Sequence, residues 1–302
     1  MLYIFETCGF SSTFGISQEV LITYFDAIES NYFSVAYHNS IHATDVVQTM
    51  HFYFQSQAFS KLFSPEEKMA VLVASAVHDV SHPGNNNNFE VEAETDIAIT
   101  YNDQSVLENF HLATAFRILK QTGHNIFGHL PKKTQRMLRD LMIHAVLATD
   151  MKLHVRLVAL LQSMVQKKKA QGTWFDASKV SEERKELLGI AIHTADISSA
   201  SKRLPIALEW AHRIHDEFWN QGDQERSLDI PVVPVMDRNK PNFAKSQMAF
   251  ISFIVDPLYD VFVQVVPESQ VCLRQQKSNY GYWQARIDVG QAIKNRLRED
   301  QE

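Results

Sequence analysis

SPEEKMAVLVASAVHDVSHPG, residues 64–84, encloses an apolar run between a helix-start signal and a histidine–aspartate pair. Ser64 supplies an N-cap hydroxyl, Pro65 takes the first helical position, and Glu67 stands three residues after the cap, so a helix starts here. It runs through Met69 to Val77 and delivers His78 and Asp79 at its C-terminal end. Ser81, Pro83, Gly84 and the asparagines Asn85 to Asn88 are expected to stop it there. A carboxylate that follows apolar Ala74, Ala76 and Val77 needs a partner, because a buried charge must be paired or bound to metal.

Apolar residues at Val20, Tyr24, Ala27 and Ile28 recur at helical spacing, and strand-like alternation is rare throughout. Further helices are expected near 40–57, 105–121, 134–149, 152–170, 181–198, 202–220, 242–265 and 280–298. The clearest interruption is 222–241, where Gly222, Pro231, Pro234 and Pro241 break the pattern. This is either a mobile flap or a surface loop with buried Val232, Val233 and Val235. Ten Gly and nine Pro in 302 residues, with 45% hydrophobic residues, suit a globular chain of long helices.

The formal net charge of −6 argues against a polynucleotide partner, which needs a basic surface to displace counterions. Two cysteines, Cys8 and Cys272, are too few for a disulfide framework and point to a reducing, cytoplasmic setting. No apolar run approaches the ~20 residues that span a bilayer, so no membrane contact is expected of this domain itself. Targeting or regulatory domains on a longer chain would lie outside it.

Three segments concentrate imidazoles and carboxylates: Tyr37-His38-Asn39-Ser40-Ile41-His42, His78-Asp79-Val80-Ser81-His82 and His193-Thr194-Ala195-Asp196. His38 and His42 lie four residues apart, as do His78 and His82, so each pair can project from one helix face. Imidazole with carboxylate suits zinc or another first-row divalent ion, whereas magnesium or manganese prefers an oxygen-rich neighbouring site. Core packing explains one such histidine easily but three clusters poorly, since each polar group would need its own buried partner. His78-Asp79-x-x-His82 is also similar to the His-Glu-x-x-His helix of zinc proteases, but Asp79 is shorter and Pro83 breaks the helix at once.

With its continuation Ala43-Thr44-Asp45-Val46, the first segment resembles the catalytic domain of class I cyclic-nucleotide phosphodiesterases. His78 to Gly84, Tyr101 to Asn109, Ala148-Thr149-Asp150-Met151, Ala195-Asp196 and Lys245-Ser246-Gln247 follow in family order. The resemblance spans about residues 35–265 and implies an all-α, compact multi-helix domain of the HD type, with 1–302 as one catalytic domain. It implies that His42, His78, Asp79 and Asp196 bind a tight Zn2+, and that Asp79 bridges to a second ion, Mg2+ or Mn2+. A hydroxide between the ions would attack phosphorus, His82 would stabilise phosphoryl charge, and His38 would act as general acid toward O3′. Glu108 and Thr149 would orient metal-bound water, although Ser105-x-x-Glu108 also reads as a capping box.

The same resemblance gives the substrates as cAMP and cGMP. Gln247 and Phe250, three apart on one expected helix face, would clamp the purine, with Tyr37, Ile197, Ser199, Ile214 and Phe218 around it. Ser199 stands where many adenosine-preferring members carry Asn, which weakens an adenine-only contact and favours dual specificity. Asn85–Asn88 mark the chain as divergent from vertebrate subfamilies, as a protozoan member would be. Another HD-type phosphohydrolase would lack a reason for the purine clamp, and a dead nucleotide sensor would be expected to lose a ligand or His38.

Overall fold

The structure, a computed structural model, describes residues 1–176, 178 and 180–299. The chain divides into two compact units, Met1–Asp196 and Ile197–Glu302. The first holds α1 (Leu2–Thr7), α2 (Phe10–Phe14), α3 (Gln18–Ser30), α4 (Ser40–Gln55), α5 (Gln57–Ser60), α6 (Pro65–Val77), α7 (Asn87–Glu92), α8 (Asp96–Tyr101), α9 (Val106–Leu119), α10 (Lys132–Leu147), α11 (His154–Gln171) and α12 (Val180–Asp196). The second holds α13 (Leu204–Ser227), α14 (Phe243–Phe250), α15 (Asp256–Phe262) and α16 (Gln270–Glu299), with a 3₁₀ turn at Ile197–Ser201. Among the described residues there is no strand, as the all-α reading expects. Among them, too, no helix is long and apolar enough to cross a membrane.

The first unit is organised around α6, which packs on α4 and α10, while α12 packs on α4 and α10 in turn. Its start is the capping box read from the sequence. Ser64 Oγ accepts from Glu67 N at 3.3 Å, and Glu67 Oε2 accepts from Ser64 N at 2.7 Å. Every residue from Met69 to Val77 is buried, which a helix apolar on all faces requires. The one hydroxyl among them, Ser75 Oγ, donates to Val71 O at 2.8 Å and so is not left unpaired. Each buried Val or Leu of this run contributes about 1.5–3 kcal/mol, so α6 is a rigid base for whatever follows its C-terminus.

In the second unit Ala200, Ala211, Ile251, Val255, Tyr259, Leu273 and Trp283 form one buried cluster. The expected single helix over 242–265 is divided: α14 ends at Phe250, a π-helical turn fills Ile251–Val255, and α15 follows. Pro257, which has no N–H to give, stands in the first turn of α15 directly after the π turn.

Gly222 does not end its helix. α13 runs on to Ser227, and the loop begins only after it. The glycine is there for close approach: a Cβ at 222 would stand 2.0 Å from Met236 O. The 228–241 segment is thus laid against α13 with Met236 as its buried anchor; of its expected buried valines, Val232 and Val235 are half-buried and Val233 is exposed. The asparagine run also differs from its reading as a simple stop. Asn86 Oδ1 accepts from Phe89 N at 2.9 Å and starts α7.

Candidate active site and metal centre

α6 ends at Val77 with His78 as its C-cap, and the chain then turns sharply, with Ser81 at φ 64° and Gly84 at φ 89°. Ser81 Oγ donates to Asn31 O at 2.9 Å, which helps hold a left-handed serine that would otherwise be strained. Asp79 and His82 lie in this turn, directly after His78 and the buried run. α4 supplies His42 in its first turn, capped by Asn39, whose Oδ1 accepts from Ile41 N at 3.0 Å and His42 N at 3.3 Å. Asp196 is the last residue of α12.

The expected one-face pairs are corrected by these boundaries. His38 precedes the cap of α4, and His82 lies beyond the end of α6, so neither pair rides on a single helix. The pairs meet across the gap instead: the rings of His38 and His82 stack at 4.0 Å with an interplanar angle of 15°. Tyr37, buried, packs edge-on against His38 at 4.8 Å and lies 4.6 Å from His42.

His42, His78, Asp79 and Asp196 each bring a ligand atom within 4.8 Å of the others. His42 Nε2 lies 2.8 Å from Asp196 Oδ1 and 3.4 Å from Asp79 Oδ2; His78 Nε2 lies 3.0 Å from Asp79 Oδ2 and 3.2 Å from Asp196 Oδ1. His78 Nδ1 donates to Ser75 O at 2.9 Å, so Nε2 is the nitrogen turned to the carboxylates and the one that can ligate a metal once its proton is displaced. Asp79 Oδ2 is buried without a hydrogen-bond partner. Two imidazoles, two carboxylates and an unsatisfied buried oxygen converging on one point fit a first-row divalent cation.

Electrostatics agree with that fit. Burial alone would neutralise His78, but Asp79 and Asp196 outweigh it and raise the imidazole well above its ordinary value. Burial would likewise raise Asp79 and Asp196, yet His78 foremost holds both carboxylates below the usual range. The two acids therefore stand as anions that demand positive charge.

His111 was not among the residues singled out in the sequence. It is buried on α9, its Nδ1 donates to Val80 O at 2.7 Å, and its Nε2 faces Asp79 Oδ1 at 3.8 Å with no partner. Asp79, His82 and His111 form a second cluster of the same kind. Burial first pushes His111 down to about 4, and it drives His82 well below its ordinary value, with His38 adding to the effect and Asp79 opposing it. Gly84 N donates to His82 Nδ1 at 3.0 Å, so the neutral His82 carries its proton on Nε2.

The capping-box reading of Ser105 and Glu108 does not hold. Ser105 sits at φ 41° without a side-chain cap bond, and its Oγ donates to Asp150 Oδ2 at 2.8 Å. Asn87 does the capping from a distance: its Oδ1 accepts from Leu107 N at 2.9 Å while its Nδ2 donates to both Glu108 oxygens at 3.1 Å. Glu108 is pushed up to about 7, by burial first and then by Asp150. Thr149, also buried, spends its proton on Val146 O at 2.7 Å. His193 is no ligand: its Nε2 pairs with His154 Nδ1 at 3.0 Å in a buried couple.

In the second unit Ile197 is buried in the 3₁₀ turn and Ser199 is half-buried there. α13 presents half-buried Ile214 and Phe218, and α14 carries buried Gln247 and half-buried Phe250, whose ring also packs on the Tyr259 cluster.

Residues 37–276 match the profile of the family described as 3′5′-cyclic nucleotide phosphodiesterase. The chain is 38% identical over 291 residues, 96% of its length, to a probable 3′,5′-cyclic-AMP phosphodiesterase pde-4 of Caenorhabditis elegans, covering 43% of that protein. It is 39% identical over 277 residues, 91% of its length, to the 3′,5′-cyclic-AMP phosphodiesterase 4C of Rattus norvegicus, covering 52% of it. The chain thus spans about half the length of these relatives or less. Its structure superposes on the phosphodiesterase domain of Salpingoeca rosetta rhodopsin phosphodiesterase with a TM-score of 0.91 at 27% identity, over 98% of this chain and 88% of that one. The chain belongs to the 3′,5′-cyclic nucleotide phosphodiesterase family.

Proposed function

We propose that residues 1–302 form one catalytic domain that opens the cyclic phosphodiester of cAMP and of cGMP, leaving nucleoside 5′-monophosphates. The observation that carries this reading is the buried convergence of His42, His78, Asp79 and Asp196 beside the stacked pair His38–His82. The names of the worm and rat relatives support cAMP as a substrate. The two free cysteines suit a cytoplasmic setting.

In this reading His42, His78, Asp79 and Asp196 would hold Zn2+, and Asp79 would also help to hold Mg2+ or Mn2+. When bound, the two ions supply a nucleophile from water at neutral pH and neutralise charge on the phosphoryl oxygens. His38 gives a proton to the departing O3′, and its contacts with Tyr37 and His82 restrict the ring to one orientation. Neutral His82 turns its Nε2–H toward a phosphoryl oxygen, because its other nitrogen is committed to Gly84. Glu108, held by Asn87, accepts from the attacking water, and Thr149 assists through its lone pairs. Gln247 hydrogen-bonds the base, Phe250 stacks on it, and Ile197, Ser199, Ile214 and Phe218 line its surroundings.

An amide has both an acceptor and donors, so Gln247 can read either six-position substituent by turning over. Competition kinetics with the metal-loaded domain test the proposal. The kcat/KM values for cAMP and cGMP should lie within about 10²-fold, and Ser199→Asn should shift the ratio toward cAMP. Absence of turnover of either nucleotide at full metal occupancy would refute the activity. A preference far beyond that range would refute dual specificity alone.

A further inference from the structure

His215 lies on α13 between Ile214 and Phe218 and is only 3% exposed. Its ring is enclosed by aromatic neighbours: Phe243 at 4.2 Å, Trp219 at 5.8 Å and Phe218 at 6.2 Å between centroids. A histidine inside such a cage must satisfy both nitrogens. Nδ1 lies 2.9 Å from Ala211 O and Nε2 lies 2.7 Å from Ser246 Oγ, the residue before Gln247 on α14. Burial holds the imidazole below its ordinary value, with the Ala211 carbonyl opposing, so the ring is neutral near pH 7. A neutral ring that donates from Nδ1 accepts at Nε2, which makes Ser246 the donor of the second bond.

Ser246 has one proton and two acceptors within reach, since its Oγ is also 2.8 Å from Phe243 O. Phe243 O is the carbonyl that the N–H of Gln247 reaches in the regular i to i−4 pattern of α14. With His215 in place Nε2 and Phe243 O share that one proton, so the carbonyl remains largely available to Gln247. Without His215 the hydroxyl turns back onto Phe243 O and competes with the Gln247 N–H, a local bond that bends helices.

We infer that His215 is a positioning residue: by accepting from Ser246 it fixes the first turn of α14 and thereby the direction in which Gln247 presents its amide. The inference rests on the reading of Gln247 as the group that hydrogen-bonds the base. One neutral hydrogen bond removed at this place predicts a loss in substrate binding rather than in chemistry, about 3–10-fold in KM with kcat within about twofold.

The test compares His215→Met, His215→Gln, Ser246→Ala, the His215→Met/Ser246→Ala double variant and Gln247→Ala. Steady-state kinetics with cAMP and cGMP are read on proteins that retain a cooperative melt. His215→Met and Ser246→Ala should each raise KM by that factor, and the double variant should be no worse than either, since both remove the same bond. His215→Gln, whose amide oxygen can still accept, should recover most of the loss. Unchanged KM in Ser246→Ala while Gln247→Ala raises it overturns the inference and leaves the base pocket standing, and this comparison decides even if His215→Met fails to fold. Additive effects in the double variant also overturn it. Unchanged KM in Gln247→Ala removes the base-pocket reading and the inference with it.

Discussion

Gly222→Ala should destabilise a helix that alanine would ordinarily strengthen. The new Cβ would stand 2.0 Å from Met236 O, 2.8 Å from its carbonyl carbon and 3.1 Å from its Cβ. Backbone atoms must therefore retreat by more than about 1 Å, and overpacking of this kind costs about 1–3 kcal/mol. The segment is not free to slide away. Met236 is buried, Val233 N donates to Glu225 Oε2 at 3.4 Å, and Arg226 pairs with Asp237 at 3.1 Å. Against this stands a gain of about 1 kcal/mol in helix propensity, so the net loss should reach up to about 2 kcal/mol. Gly281→Ala supplies the contrast. It is also within a helix, α16, but nothing lies within 4 Å of its Cβ, so the propensity gain should appear undiluted. Urea and thermal melts of the two variants beside the parent protein measure both signs. If Gly222→Ala melts as high as Gly281→Ala, the Met236 segment yields freely and the argument from close approach is wrong.

His42→Ala or Asp196→Ala should strip the tight metal and nearly all activity, because each removes one of few ligand bonds; elemental analysis showing unchanged occupancy would end that assignment. His38→Ala should keep its metal yet turn over about 10²–10⁴-fold more slowly, with a smaller deficit for an activated ester whose leaving group needs no proton. An equal deficit for both substrates would mean that His38 is not the acid. In the metal-free domain Glu108, raised from 4.5 to about 7, contributes stability that is complete below its unfolded value and lost as pH rises through about 7. Glu108→Gln should therefore flatten the decline in urea midpoint between about pH 5 and about pH 8, an effect of about 3 kcal/mol at most. Identical pH dependence of the two proteins would contradict a protonated Glu108.

What was legible in the sequence was local. Ser64, Pro65 and Glu67 specify a helix start through contacts three residues apart, and the structure forms that start as read. The clustering of His42, His78, Asp79 and Asp196 was legible through motif order, although they come from α4, the end of α6 with the turn after it, and α12. What escaped was long-range. Ser105 and Glu108 match a capping pattern, yet Asp150 takes the hydroxyl and Asn87 takes both the cap and the carboxylate. His111 reads as an ordinary histidine on an apolar face until the turn after α6 brings Asp79 toward its Nε2. A glycine in sequence signals a break, and only the Met236 carbonyl shows why Gly222 sits inside a helix. Spacing of four made His38 and His42 look like helical neighbours, although Asn39 between them was available as a cap signal.

The π turn at Ile251–Val255 separates two phases of one helical rod. A wide turn accommodates one residue more than the regular pattern, so the faces before and after it are no longer in register. Gln247 and Phe250 belong to one phase, and Leu258, Tyr259 and Phe262, which are buried, belong to the other. The two elements, α14 and α15, therefore reach the Tyr259 cluster in separate registers along one axis. Deleting one residue from the turn would restore the regular pattern and swing Gln247 and Phe250 by about 100° relative to Leu258, Tyr259 and Phe262.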